Sequence, residues 1–309
     1  MLGREIVEDA SRVVYRHCIR TPLYRDAHLS ALTGMDIYLK MELYQPVHSF
    51  KIRGASNKLS RIEGPEVITA SSGNHGIAVA FVAGELGKKA IVVLPEDVNP
   101  SKLQMIRELG AEVVLKGRSS DERMRYAADY AASHSIPLIP SFDDAHIIGG
   151  QGTIGLEIQE QKDVGCIISP IGGGGLISGI ALSYGGRGTQ IFGVQAEGAC
   201  SMYKSVGAGT PVTADSNTVA DGIMVSTPGA VNVSIVRERV REIFLVSDND
   251  IIDAFREMWS HSHVLMEPAS ASTVAALLKN ASVLGEKGIT SAALIITGGN
   301  VSDKVLKML

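Results

Sequence analysis

Lys51 has the most pointed chemical setting in this chain. It stands in "QPVHSFKIRGASNK" (Gln45–Lys58), with Phe50 before it and the small residues Gly54 and Ala55 after it. An amine acts as nucleophile or base near neutral pH only when it is partly desolvated. An aromatic wall and small neighbours create that condition. Three glycine-bearing loops supply complementary chemistry. "SSGNHG" (Ser71–Gly76) follows the apolar run "EVITA", Gly172–Gly175 follow "CIISPI", and Gly298–Gly299 follow "AALIIT". A loop leading from a strand into a helix exposes unpaired N–H groups, and these cradle anions. Four successive glycines let an anion approach the backbone with no side chain in the way.

The nucleotide motifs do not fit. No Lys-Ser/Thr pair follows Gly172–Gly175, as a P-loop requires, and the spacing of a dinucleotide fingerprint with its later acidic residue is absent. The phosphate therefore belongs to another cofactor. A reactive lysine and a small phosphate-bearing group together point to pyridoxal 5'-phosphate, held as a Schiff base.

Strands and helices must alternate to place these loops. "KAIVVLP", "AEVVLKG", "PLIPSF", "CIISPI", "QIFGVQAEG", "EIFLVSD" and "AALIIT" read as strands, and "SKLQMIRELG" and "DERMRYAADYAASH" as amphipathic helices. Near-continuous apolar strands alternating with helices predict an α/β protein whose parallel sheets are covered on both faces. Helices are expected to begin at Ile77 and Leu176, just after the first two loops. Ligands on such sheets sit beyond the carboxyl ends of the strands. The polar stretch from Ala208 to Ser216 reads as a surface loop.

Composition bounds the class. With 309 residues, two compact domains are the natural expectation. Charged residues make up 20% of the chain and the net charge is −4, which fits a globular protein. No basic block calls for nucleic acid, and no apolar run calls for a membrane span. The charged start lacks the apolar core of a signal peptide. The 3 cysteines, Cys18, Cys166 and Cys200, are scattered, odd in number and without metal spacing. They suit a reduced cytoplasm, chiefly as small buried hydrophobes.

"QPVHSFKIRGA", "SSGNHG", "GGGGL" and "TGGN" occur in the order and rough spacing of the fold-type II pyridoxal-phosphate enzymes. Across nearly its whole length the chain resembles the serine/threonine dehydratases (ammonia-lyases), with "PSFD" and "GQGTIGLEI" adding to the likeness. The resemblance implies two domains, each with a mostly parallel twisted sheet flanked by helices, as in tryptophan synthase β. Residues 1–66 and 143–309 would form the large cofactor-binding domain. Residues 67–142 would form a small domain that carries the carboxylate loop and closes on substrate. A homodimer or homotetramer acting on a small amino acid is expected.

The resemblance also assigns roles. Lys51 would carry the cofactor and act as the base at Cα, with Ser72 as a second catalytic residue. Phe50 would stack near the cofactor ring and Gly222 would cover its other side. Gly172, Gly173, Gly174, Gly175 and Leu176 would hold the phosphate. Asn74 would bond the phenolic oxygen, and Thr297 would face the ring nitrogen. Ser71, Ser72, Asn74 and His75 would grip the substrate carboxylate. His75 is open to a second reading, as a loop histidine making ordinary backbone bonds. Arg53 is open too: it lowers the Lys51 pKa, or it is a solvated surface arginine. Glu267 is a cofactor-side group or a helix-cap acid beside Pro268.

One departure concerns metal. Relatives that bind a divalent cation use a Glu and a nearby Asp after the strand resembling "QIFGVQAEG". Here Glu197 is followed by "GACSMY" with no acid, so no metal is expected and Glu197 reads as a helix-start residue. The expected reaction is conversion of L-threonine or L-serine to a 2-oxo acid and ammonia. The alternatives are a serine racemase, a dehydratase of another β-hydroxy amino acid such as a hydroxyectoine-derived compound, and a non-catalytic amino-acid-binding module. No regulatory domain is expected past Gly299, so near-hyperbolic saturation without isoleucine inhibition is anticipated.

Overall fold

The computed structural model describes residues 2–71, 73–98, 100–117, 120–186 and 188–308. The strands are β1 (Leu23–Arg25), β2 (Asp36–Met41), β3 (Glu66–Ala70), β4 (Lys89–Leu94), β5 (Glu112–Leu115), β6 (Cys166–Pro170), β7 (Gln190–Ala196), β8 (Glu242–Val246) and β9 (Ser291–Ile296). They form a six-stranded sheet in the order β1-β2-β9-β6-β7-β8 and a three-stranded sheet in the order β3-β4-β5. All pairings are parallel except β1 with β2, at the edge of the larger sheet.

Burial on both faces accounts for the continuous apolar strands. In β4, Ala90, Val92 and Leu94 join one core with the Asn74–Glu85 helix, while Ile91 and Val93 join another with the Ser120–His134 helix. In the large sheet, Ile168, Phe192, Leu294 and Ile296 face the Pro268–Glu286 helix, whereas Ile167, Ile191, Ala293 and Ile295 face the opposite way. This is the period of two expected of strands. The core below the small sheet also takes in Ile52, Ala55 and Leu59 from the Lys51–Leu59 helix and Val14 from the N-terminal region. The lysine's helix is thereby packed against the small sheet.

One expected strand is absent. "PLIPSF" makes only a single bridge, Leu138 to Ile68, fastened by Ile68 N–H to the Pro137 carbonyl and Ile139 N–H to the Ile68 carbonyl. Proline lacks a donor, so Pro137 and Pro140 prevent a longer ladder. The expected surface loop from Ala208 to Ser216 is helix-free and strand-free except at Ala208, which ends the Ser201–Ala208 helix. Cys18 and Cys166 are buried and Cys200 is half-buried; all three are free thiols. Among the described residues no helix is long and apolar enough to cross a membrane.

Candidate active site

A cavity of about 460 Å³ lies at the carboxyl ends of β3, β6 and β9, as open parallel sheets favour. Phe50, Lys51, Ser71, Asn74, His75, Gly172–Leu176, Gly222 and Thr297 all line it. Ser72 lies outside the described residues.

Lys51 is the first residue of its helix, with Phe50 at the N-cap. Its Nζ donates to the Ser141 carbonyl at 3.1 Å and lies 5.3 Å from the centroid of the Phe50 ring. Burial pushes the amine down to about 8, opposed by the negative charge of Glu267. A lowered lysine pKa means that a usable fraction of the amine is neutral near pH 7.

Arg53 is neither solvated nor a source of that shift. It is fully buried and forms two forked pairs, to Glu42 (2.7 and 2.8 Å) and to Glu157 (2.6 and 3.0 Å). Lys40 adds a bond to Glu157 at 2.6 Å, and Thr21 one to Glu42 at 2.6 Å. Two buried cations thus face two buried carboxylates. The network ties the lysine's helix to the end of β2 and to the Ala145–Gln161 helix, so it sets where Lys51 stands.

The carboxylate loop differs from expectation in its helix start. The helix runs Asn74–Glu85, three residues earlier than read from sequence, with Gly73 at the N-cap. Asn74, His75 and Gly76 are therefore first-turn residues, whose N–H groups have no intrahelical acceptor. The Asn74 amide donates to Glu267 at 2.8 Å and accepts from the Asn300 amide at 2.8 Å. Thr297 Oγ1 donates to the other Glu267 oxygen at 3.2 Å and lies 2.9 Å from Ser270 Oγ. Glu267 is the N-cap residue of the Pro268–Glu286 helix but makes no capping bond with its side chain. Its carboxylate instead faces the cavity, where burial pushes it up to about 7. The His75 ring sits against the Ile139 carbonyl at 3.3 Å, leaving buried Nδ1 without a bond. Burial and the Lys51 charge push it down to about 3, so the ring is neutral.

The helix after the glycine run spans Gly175–Tyr184, with Gly174 at its N-cap in the left-handed region (φ 100°). A Cβ on Gly173 would stand 2.2 Å from the Phe142 ring. Glycine is thus required there by packing and at Gly174 by the backbone. Glu197 opens a 3-10 turn, Glu197–Ala199, away from the cavity lining.

Sequence reading missed several lining residues. Ser141 and Phe142 reach the cavity because two prolines keep their segment out of the sheet, and those prolines were the available signal. Lys102 and Arg123 also line the mouth, Lys102 paired with Asp221 at 2.8 Å. Both are cations on amphipathic helices, a pattern common on solvated faces, so their position was not legible.

Residues 14–298 match the family model described as pyridoxal-phosphate dependent enzyme. L-threonine ammonia-lyase of Thermotoga maritima is 38% identical over 314 residues, spanning 99% of this chain and 77% of that protein. Among solved structures, the processed form of threonine deaminase isoform 2 from Solanum lycopersicum superposes with a TM-score of 0.93 at 33% identity, covering 98% of this chain and 91% of that one. Maize serine racemase superposes with a TM-score of 0.94 at 30% identity, covering 99% and 95%. The chain belongs to the pyridoxal-phosphate dependent enzyme family and has the fold-type II architecture of these neighbours.

The residues present fit that family's cofactor. A buried amine of lowered pKa, a glycine run that admits no side chain, and a helix N-terminus behind that run surround one cavity. An activated amine and a phosphate cradle are what a bound aldehyde that carries a phosphate requires.

Proposed function

We propose that this chain is an ammonia-lyase that converts L-threonine or L-serine to a 2-oxo acid and ammonia. The observation that carries the reading is the convergence of the Lys51 amine, the Gly172–Gly175 run and Ser71, Gly73, Asn74 and His75 on one cavity. The threonine ammonia-lyase and threonine deaminase likenesses support the reaction class. The net reaction removes the β-hydroxyl as water, and hydrolysis of the resulting enamine gives the 2-oxo acid and ammonia.

Lys51 is the covalent anchor and takes the Cα proton onto Nζ. When bound, the cofactor supplies the electron sink for that proton loss. The N–H groups of Gly172–Gly175 and Leu176 would hold its phosphate, and Phe50 and Gly222, which line the same cavity, would bracket its ring. Asn74, oriented by Glu267 and Asn300, would serve the phenolic oxygen. Thr297 would offer the ring nitrogen a hydroxyl rather than a carboxylate, which would make the sink a weak one and suit elimination. The first-turn N–H groups at Asn74 and His75, with the Ser71 and Ser72 hydroxyls, bind the substrate carboxylate. His75 contributes its backbone, since its ring is engaged with Ile139.

The serine racemase likeness favours a second reading, in which the Cα proton returns on the opposite face. A panel of L-threonine, L-serine, D-serine and larger hydroxy amino acids decides between them, with release of 2-oxo acid and inversion of serine both measured. Rapid 2-oxo acid release from L-threonine or L-serine is expected. Inversion without release would overturn the lyase reading. A protein with no visible absorbance sensitive to borohydride would overturn both.

Residues 67–142 are the proposed moving unit, carrying the carboxylate loop toward the larger sheet and excluding water. The Lys102–Asp221 pair, which spans the cavity mouth, supports such a closure. Identical positions of this segment in ligand-free and substrate-analogue crystals would count against it. A cytoplasmic location fits the three free thiols, and light scattering would test the expected homo-oligomer.

A further inference from the structure

Away from the cavity, three side chains from two separate parts of the chain converge. His28 comes from the Ala27–Thr33 helix, Glu257 ends the Asp248–Glu257 helix, and His261 lies in the π-turn Met258–Ser262 that follows. One ligand atom from each lies within 4.8 Å of the others. His28 Nε2 is 2.6 Å from Glu257 Oε1, and His261 Nδ1 is 3.5 Å from the same oxygen. The two imidazoles stack with ring centroids 4.5 Å apart and an interplanar angle of 5°. None of the three lines the active-site cavity.

We propose that His28, Glu257 and His261 form a binding site for a borderline divalent transition ion, zinc foremost. Two imidazoles and a carboxylate are a known donor set for that class of ion. Ligands about 2.0–2.1 Å from a tetrahedral zinc stand roughly 3.3 Å apart. The Nδ1-to-Oε1 spacing already meets this, and the shorter Nε2-to-Oε1 contact needs to open by less than about 1 Å. Side-chain rotation suffices at half-exposed positions. The fourth ligand position faces solvent, since 28% of the His28 side chain and 51% of the His261 side chain are accessible.

Two local features favour the arrangement. The π-turn widens the backbone after Glu257 and closes at His263 in the left-handed region (φ 54°), a local distortion that such sites frequently use. The adjacent cation, Arg256, is turned away: its Nε donates to the Met308 carbonyl at 2.7 Å. A bound ion would clip the Ala27–Thr33 helix to the end of the Asp248–Glu257 helix. Binding only the folded chain, it would raise stability by mass action.

Zinc chloride titrated calorimetrically into chelator-treated holoenzyme, without amino-acid substrate, tests the site. One equivalent per chain and a raised melting temperature are expected. His28→Ala and His261→Ala should each weaken binding at least about tenfold, as loss of even an outer-shell partner commonly does. Glu257→Gln should do the same while keeping the side-chain volume. Cobalt(II) should give the visible bands of a four-coordinate ion in the parent protein and lose them in all three variants. 2-Oxo acid release should be the same in the zinc-free forms of all four proteins. Absence of stoichiometric binding overturns the proposal, as does binding that survives all three substitutions.

Discussion

Asn74 Nδ2 donates to Glu267 Oε2 at 2.8 Å, joining the first turn of a helix on the small sheet to the N-cap residue of a helix under the large one. The carboxylate it meets is raised to about 7, so it ionises in the working pH range. Once ionised, its charge favours the protonated form of Lys51. Glu267→Gln removes that charge while keeping a hydrogen-bonding side chain. In the apoenzyme, an amine-specific reagent should label Lys51 with a midpoint near pH 8, where its pKa lies. The midpoint should move to lower pH in Glu267→Gln. An unchanged midpoint would show that the two groups do not communicate.

The apoenzyme should also carry the cost of a buried lysine. A depressed pKa gives stability that is complete above the free-lysine value and is lost as pH falls through about 8. At pH 7 the Lys51→Met apoprotein should therefore melt higher than the parent apoprotein. The gap should close as pH rises past about 10.4, the ordinary lysine value. Melting curves across that range decide it, and a constant gap would contradict the assignment.

Lys51→Ala should abolish borohydride-sensitive absorbance and lower 2-oxo acid release by at least about 10³-fold, since it removes both anchor and base. Full activity in this variant would remove Lys51 from the mechanism.

Gly173→Ala should disturb the phosphate cradle, because its Cβ would lie 2.2 Å from the Phe142 ring. Overpacking of this kind costs about 1–3 kcal/mol, or roughly a fivefold to 150-fold loss in cofactor affinity if it falls on the bound state. Phe142→Ala in the same chain should recover part of the loss. Cofactor dissociation constants for the two variants make the comparison. Weakening with no recovery would mean that backbone shape, not the ring, is the constraint.

Arg53→Leu leaves Glu42 and Glu157 buried with Lys40 as the cation bonded to the pair, through Glu157. Breaking a buried pair in this way costs about 3–5 kcal/mol. The loss should appear in denaturant unfolding. The cations hold Glu157 below the usual carboxylate range against the opposing effect of burial. The stability this adds is present above the ordinary carboxylate pKa and is lost as pH falls through the lowered folded value. The variant should therefore be less acid-sensitive than the parent. Equal unfolding free energies at neutral pH would contradict the network's role.

Sequence alone marked the residues that line the candidate site's cavity. Lys51 with its flanks, the Ser71–Gly76 loop, the glycine run and Thr297 carry local chemistry: a glycine permits close backbone approach wherever it falls, and a strand-loop-helix order exposes N–H groups whatever surrounds it. Apolar runs identified β3 to β9; most of these are buried on both faces and need no partner to be recognised, whereas β5 is an edge strand with no buried residue. Tertiary structure decided what depends on distant partners. Arg53 became a buried strut only because Glu42 and Glu157 arrive from segments 11 and 104 residues away. Glu267 became a cavity acid because Asn74 and Thr297 meet it, whereas beside Pro268 it could equally have capped a helix. "PLIPSF" lost its strand to two missing proline donors. His28 meets Glu257 across 229 residues, a separation at which no local pattern survives.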